Sequence, residues 1–246
     1  MIIEAVQARP HAPDEAPDLD RWPFTQPPVA QLMREGLRFD KPVTLLVGEN
    51  GSGKSTIIEA IAEAYGADVR GGHIGRDYAS PLAPLPLGKQ IHLVRTKVGR
   101  SMVGRKPRGY FLRAETAYGF FEYVTGTPAY GGHDLYQMSH GESFLAVFDA
   151  RFTGQGLYLM DEPESALSFT SSLKLLALMD DLRERGSQVI CATHSPILAA
   201  LPDAQILELG TSGIRPVNWQ DLELVSHWRR FLNHPDAYLR HIMTDQ

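Results

Sequence analysis

The chain has 246 residues, of which 43% are apolar and 22% charged, with a formal net charge of −5. That length supports one large α/β domain or two small ones, and the mildly acidic balance argues against a protein that coats nucleic acid, though not against a local basic stripe. The single cysteine, Cys191, rules out an intrachain disulfide and lies in an apolar run, Val189–Ala192, where an inert core thiol is expected. No stretch approaches the ~18 consecutive apolar residues of a membrane helix. The opening MIIEAVQARPHAPDEAPDL lacks a basic region followed by an apolar core, so a cytoplasmic chain without membrane insertion is the expectation.

In chain order, residues 10–28 carry Pro10, Pro13, Pro17, Pro23, Pro27 and Pro28 and read as a loop or extended stretch rather than helix, within an N-terminal lead-in of residues 1–35. Val43–Val47 is apolar and β-branched, the pattern of a buried strand. A glycine-rich turn follows, then a helix over Thr56–Ala64. Residues 66–137 read as a variable region. It is irregular to residue 90, with strands such as Gln90–Arg95 and Gly109–Ala114 forming an antiparallel β subregion. Residues 141–152 place Phe144, Leu145, Val147, Phe148 and Phe152 at helical spacing. Leu157–Met160 is a short buried strand, Ser171–Arg185 a leucine-rich helix closed by Gly186, and Gln188–Thr193 and Gln205–Leu209 are further strands. The tail, 211–246, is helical from about residue 219 and broken near Pro235. Strands alternating with helices predict a largely parallel sheet covered on both faces.

The residues that carry chemistry cluster at strand ends. Residues 48–56 read GENGSGKST and fit G-x-x-x-x-G-K-[ST]. Gly48, Gly51 and Gly53 allow the backbone to turn its amides inward, with Glu49, Asn50 and Ser52 between them. The helix that starts there favours an anion at its N-terminus. Lys54 supplies a point charge for phosphates, the Ser55 hydroxyl suits Mg²⁺, and Thr56 completes the cradle. In LYLMDEPE, residues 157–164, an apolar strand ends in Asp161–Glu162. Such an Asp suits the Mg²⁺ of a bound nucleotide, and the Glu suits an attacking water. In ATHSP, residues 192–196, the preceding strand delivers His194 to the same carboxyl edge, where open α/β sheets bind ligands.

Together these residues resemble the ABC-type ATPase superfamily over roughly residues 36–210. GENGSGKST resembles its Walker A loop, LYLMDEP its Walker B strand and ATHSP its switch-histidine segment. MSHGES, residues 138–143, stands where the family's LSGGQ-like signature belongs. Ser139 and Gly141 match it, His140 replaces a glycine, and Glu142 stands where Gln or Glu is usual. SALS, residues 165–168, resembles the D-loop, with Ser168 where Asp is common.

The resemblance implies a P-loop NTPase fold spanning 1–246 as one domain, with a mixed, largely parallel central sheet. It implies ATP and Mg²⁺ as ligands and hydrolysis to ADP and phosphate. Lys54, Glu162 and His194 are its catalytic residues, and Ser55 and Asp161 its metal ligands. Ser139 and Gly141 would cap the γ-phosphate held by a second copy, so a head-to-tail homodimer is implied. GKSTIIEAI looks like the soluble SMC/RecF/AAA-like branch, and the closest resemblance is to small stand-alone bacterial ATPases. A transporter motor subunit is the alternative. No long coiled-coil insertion is present. The family's Mg²⁺-proximal Gln has no clear match; Glu115 is a candidate replacement. Trp22, Phe24 and Phe39 are candidates for stacking on adenine. The segment 95–113, with Arg95, Lys97, Arg100, Arg105, Lys106, Arg108 and Arg113 and no acid, reads either as a nucleic-acid contact or as a solvated strand pair with some residues touching ATP.

Overall fold

The computed structural model describes residues 1–10, 16–68, 71–73, 86–102, 108–115 and 140–243. The N-terminal segment is more than a lead-in. It begins with a strand, β1 (Ile3–Ala8), and includes a helix, α1 (Pro27–Glu35), before β2 (Leu37–Arg38). α1 starts at the proline pair Pro27–Pro28. A missing N–H costs nothing in a first turn, so prolines that argued against a helix instead mark its start.

β3 (Val43–Val47) is buried at all five positions and leads into α2 (Lys54–Tyr65). Then come β4 (Gly72–His73), α3 (Pro86–Gln90), β5 (Ile91–Arg95), α4 (Lys97–Ser101) and β6 (Gly109–Arg113). The second half runs α5 (His140–Arg151), β7 (Leu157–Asp161), α6 (Phe169–Glu184), β8 (Gln188–Thr193), β9 (Gln205–Gly210), β10 (Gly213–Pro216), α7 (Glu223–Asn233) and α8 (Pro235–Met243). No helix among the described residues is long and apolar enough to cross a membrane.

The main sheet has seven strands in the order β10-β9-β3-β8-β7-β6-β4. Its five central strands are parallel, and the edge strands β10 and β4 are antiparallel to their neighbours. The chain is thus α/β with a mixed, largely parallel sheet. Alternate residues of the strands feed two cores. Val43, Leu45 and Val47 of β3 pack with Phe148 of α5 and Leu175 and Met179 of α6. Leu46 faces the other way, toward Ile57, Ile58 and Ile61 of α2 and Val29 and Leu32 of α1.

A second sheet, antiparallel, has the order β2-β1-β5. Two of its three strands, β1 and β2, precede β3 and do not come from 66–137. β5 and β6 do not form a strand pair; they lie in different sheets, with α4 between them. Period-two alternation reports that a strand exists but not which partner it takes. α4 had a local signal, since Thr96 caps it by accepting from Gly99 N.

One side chain ties the two sheets together. Gln188, the first residue of β8, is fully buried, and its Oε1 accepts from Ile2 N at 2.7 Å and Ile3 N at 2.8 Å. Its Nε2 donates to Ile3 O at 2.9 Å. Gln188→Ala would orphan two buried amides, so unfolding in urea should show a loss of about 2–4 kcal/mol. A loss below about 1 kcal/mol would mean that water replaces the side chain there.

Candidate functional site

The parallel register brings the strand ends level. Val47 lies opposite Thr193, Asp161 opposite Ala192, and Arg113 opposite Asp161. The residue after each of β3, β7 and β8 is therefore Gly48, Glu162 or His194, all along one carboxyl edge. The sequence reading placed them there.

The phosphate loop is shaped by its glycines. A Cβ on Gly48 would sit 2.3 Å from Leu209 O, so only glycine lets the loop pass β9. Gly53 has φ +92 and caps α2 in a left-handed conformation. Lys54 is buried, with its Nζ 2.9 Å from Glu49 O and 4.0 Å from Glu162 Oε1. Burial lowers its pKa, and the nearby Glu162 and Asp161 carboxylates oppose the shift. Gly51 is left-handed and Asn50 exposed, and Ser52 Oγ is sealed from solvent without a hydrogen-bond partner among the described residues. Thr56 is half-buried in the first turn of α2.

Ser55 Oγ donates to Asp161 Oδ1 at 3.0 Å. Burial pushes Asp161 up to about 6, against the Ser55 hydrogen bond and the Arg113 charge. A hydroxyl and one carboxylate are the protein's usual share of a Mg²⁺ shell whose other ligands are phosphate oxygens and water. The residues present therefore fit a Mg²⁺–nucleotide. His194 Nε2 lies 2.5 Å from Glu162 Oε1. Glu162 is left-handed, at φ 50 and ψ 47.

Two residues beside Asp161 are not assigned to this site by the sequence: Glu59 is not singled out, and Arg113 reads only as part of the basic segment. Arg113 Nη2 lies 2.9 Å from both Glu59 Oε1 and Glu115 Oε2, and its Nε is 3.9 Å from Asp161 Oδ2. The strand register puts Arg113, not Glu115, next to Asp161; Glu115 is 78% exposed and reaches the group through Arg113. Glu59 lies on α2 one turn after Ser55, a spacing that could have revealed it. Burial raises Glu59 to about 7, outweighing Arg113.

The other candidates divide. Ser139 lies outside the described residues, whereas Gly141 falls in the first turn of α5. Phe24 and Phe39 are core residues, and Trp22 is 62% exposed. A cleft of about 790 Å³ is lined by Gly48–Ser52 and His194 together with Trp228, Phe231 and Tyr238 of α7 and α8. These aromatics lie in the tail, which helical periodicity alone does not connect to the loop. Within the basic segment, Arg95 stacks on Tyr65 at 4.9 Å and Arg100 bonds Arg95 O, while Arg105 and Lys106 lie outside the described residues. Cys191 is fully buried, and burial raises its thiol pKa well above the usual range.

Comparison with known families finds an AAA domain over residues 34–80, and over 127–200 an AAA domain described as a putative AbiEii toxin of a type IV toxin–antitoxin system. The iron(3+)-hydroxamate import ATP-binding protein FhuC of Bacillus subtilis is 26% identical over 207 residues, covering 69% of this chain and 72% of that protein. The macrolide export ATP-binding/permease protein MacB of Escherichia coli is 27% identical over 222 residues, covering 76% of this chain but only 33% of its own length. The SMC head domain from Thermotoga maritima superposes with a TM-score of 0.44 at 18% identity, over 74% of this chain and 93% of that one.

Glu59 generates a pH test. Its folded pKa, about 7, stands above its ordinary 4.5, so ionising it costs the folded state. Stability is therefore higher below pH 4.5 and is lost as pH rises through 7. Glu59→Gln cannot ionise, so its stability relative to the parent should climb between pH 5 and pH 8, by at most about 3 kcal/mol. Urea unfolding of the nucleotide-free proteins at both pH values measures this. A constant difference would show that Arg113 keeps Glu59 ionised throughout.

Proposed function

The chain belongs to the ABC-type ATPase superfamily, and we propose that it binds ATP with Mg²⁺ and hydrolyses it to ADP and phosphate. The observation that carries this reading is the convergence of Lys54, the Ser55–Asp161 pair and the Glu162–His194 pair at one sheet edge. On this reading 1–246 acts as a single ATPase domain in the cytoplasm. Head-to-tail homodimers would close two composite sites, with Ser139 and Gly141 of each copy capping the γ-phosphate on the other.

Each residue has a part. Amides of the 48–53 loop, apart from that of Ser52, which bonds Glu49 O, and those of Lys54, Ser55 and Thr56 would face the phosphates, and α2 would present its N-terminal dipole to them. Buried Lys54 places a positive charge at the β- and γ-phosphates with little solvent screening. Ser55 and Asp161 would hold Mg²⁺, which neutralises the charge that builds on the phosphates. Glu162 orients the attacking water and accepts its proton as the bond to phosphorus forms. His194, in contact with the Glu162 carboxylate, keeps Glu162 aimed and would face the γ-phosphate.

A transporter motor subunit is the second reading, favoured by the import and export ATP-binding proteins among the relatives. Purification with an integral membrane protein would support it. The soluble, DNA-linked reading instead expects salt-dependent DNA binding that Arg105→Glu with Lys106→Glu abolishes.

Glu162→Gln should keep ATP affinity, lower kcat by at least about 100-fold and accumulate an ATP-bound dimer in size-exclusion chromatography. Undiminished turnover would remove Glu162 from the mechanism. Lys54→Ala should instead weaken ATP binding itself in equilibrium titration.

A further inference from the structure

Glu164 closes the LYLMDEPE segment without a role of its own there, yet it holds the two segments on which the site turns. Its Oε1 accepts from Thr193 Oγ1 at 2.6 Å and from His194 N at 2.5 Å. Thr193 Oγ1 accepts in turn from Ser195 N at 2.9 Å. One carboxylate oxygen thereby sets the end of β8 and the backbone from which the His194 ring projects. Oε2 of Glu164 is sealed from solvent without a hydrogen-bond partner among the described residues. Burial pushes the carboxyl pKa up. A half-paired buried carboxylate is a costly way merely to end a strand.

The other end of the same short turn carries Glu162. Residues Pro163–Ala166 form a single 3-10 turn, and Glu162 enters it in a left-handed conformation that costs a non-glycine residue about 1–2 kcal/mol. Such a conformation persists only where its surroundings hold it. Two tethers to β8 do so. Glu162 N donates to Ala192 O at 2.9 Å, and the Glu164 carboxylate takes the Thr193 hydroxyl and the His194 amide. Between them the Glu162 side chain meets His194 Nε2.

We propose that Glu164 is a positioning residue that locks His194 against Glu162 by binding the end of β8. The inference rests on the hydrolysis reading above. Glu164 does not face the reacting atoms; it acts through the histidine backbone. Its removal should therefore slow the chemical step with little loss of ATP affinity, since its hydrogen bonds go to Thr193 and His194 and its charge acts on Lys54 less than those of Glu162 and Asp161.

The test uses the full chain with Glu164→Ala, Glu164→Gln, His194→Ala and the double alanine variant. kcat, KM and ATP affinity are measured, together with amide hydrogen exchange at His194 in nucleotide-free protein. Glu164→Ala should lower kcat about 10- to 100-fold, the loss usual for an outer residue that orients a ligand-bearing histidine, with KM and ATP affinity nearly unchanged. Glu164→Gln, a weaker acceptor of the same shape, should fall between Ala and the parent. The double variant should be no slower than His194→Ala alone, because both changes remove one interaction. Exchange at the His194 amide should accelerate in Glu164→Ala.

Multiplying effects in the double variant would overturn the proposal. So would unchanged kcat, a Gln variant as slow as Ala, or a loss confined to ATP affinity. Should Glu164→Ala fail to fold, Thr193→Val removes one of the two donors and should give a smaller loss, again in kcat alone. If the parent protein does not turn over ATP, the hydrolysis reading fails by itself. The exchange measurement then still decides the anchor, and unaltered protection at His194 overturns it.

Discussion

Parallel pairing of β3, β8 and β7 in level register is the constraint on which the site depends. A one-residue slip of any of these strands would turn its side chains to the opposite face and bury the wrong set. Both faces are covered, by α1 and α2 on one side and α5 and α6 on the other, so a slip would be opposed by two cores at once. That is how three segments separated by up to 146 positions deliver Gly48, Glu162 and His194 to one edge. The bond from Ser55 to Asp161 spans 106 positions and is a consequence of that register, not its cause.

Charge is concentrated there at some cost to stability. Lys54 is buried, Asp161 and Glu59 have raised pKa values, and Glu164 keeps one oxygen unpaired. Burial is the largest cause of each of these shifts, and in a low-dielectric edge each charge acts strongly on its neighbours. Arg113 between Glu59, Glu115 and Asp161 offsets part of that accumulation. Perturbed titratable groups gathered in this way are typical of functional sites.

The motifs were legible because each is a local pattern with a local cause. GENGSGKST needs glycines where the loop passes Leu209 O and where Gly53 turns left-handed into α2. The strands before Asp161 and His194 were legible as apolar runs. Arg113 was not, because nothing in GYFLRAE tells which strand lies beside β6. Glu164 was not, because its partners, Thr193 and the His194 amide, are 29 and 30 residues away. The helix at Pro27 was misread for another reason: proline breaks a helix interior but opens a first turn, and only the packing of Val29 and Leu32 separates the two cases.

By itself the sequence determined the α/β alternation, the phosphate loop, the strand-end acids and the histidine, since these follow from periodicity and from backbone chemistry within a few residues. Tertiary structure alone decided that β1 joins β2 and β5 in a separate sheet anchored by Gln188. It also set Arg113 against Asp161, placed the α7 and α8 aromatics in one cleft with the phosphate loop, and tied Glu164 to the end of β8. The physical reason is common to all four: each contact joins segments distant in the chain, and which of them meet is settled by the packing of two cores and the order of strands, not by the propensity of any single stretch.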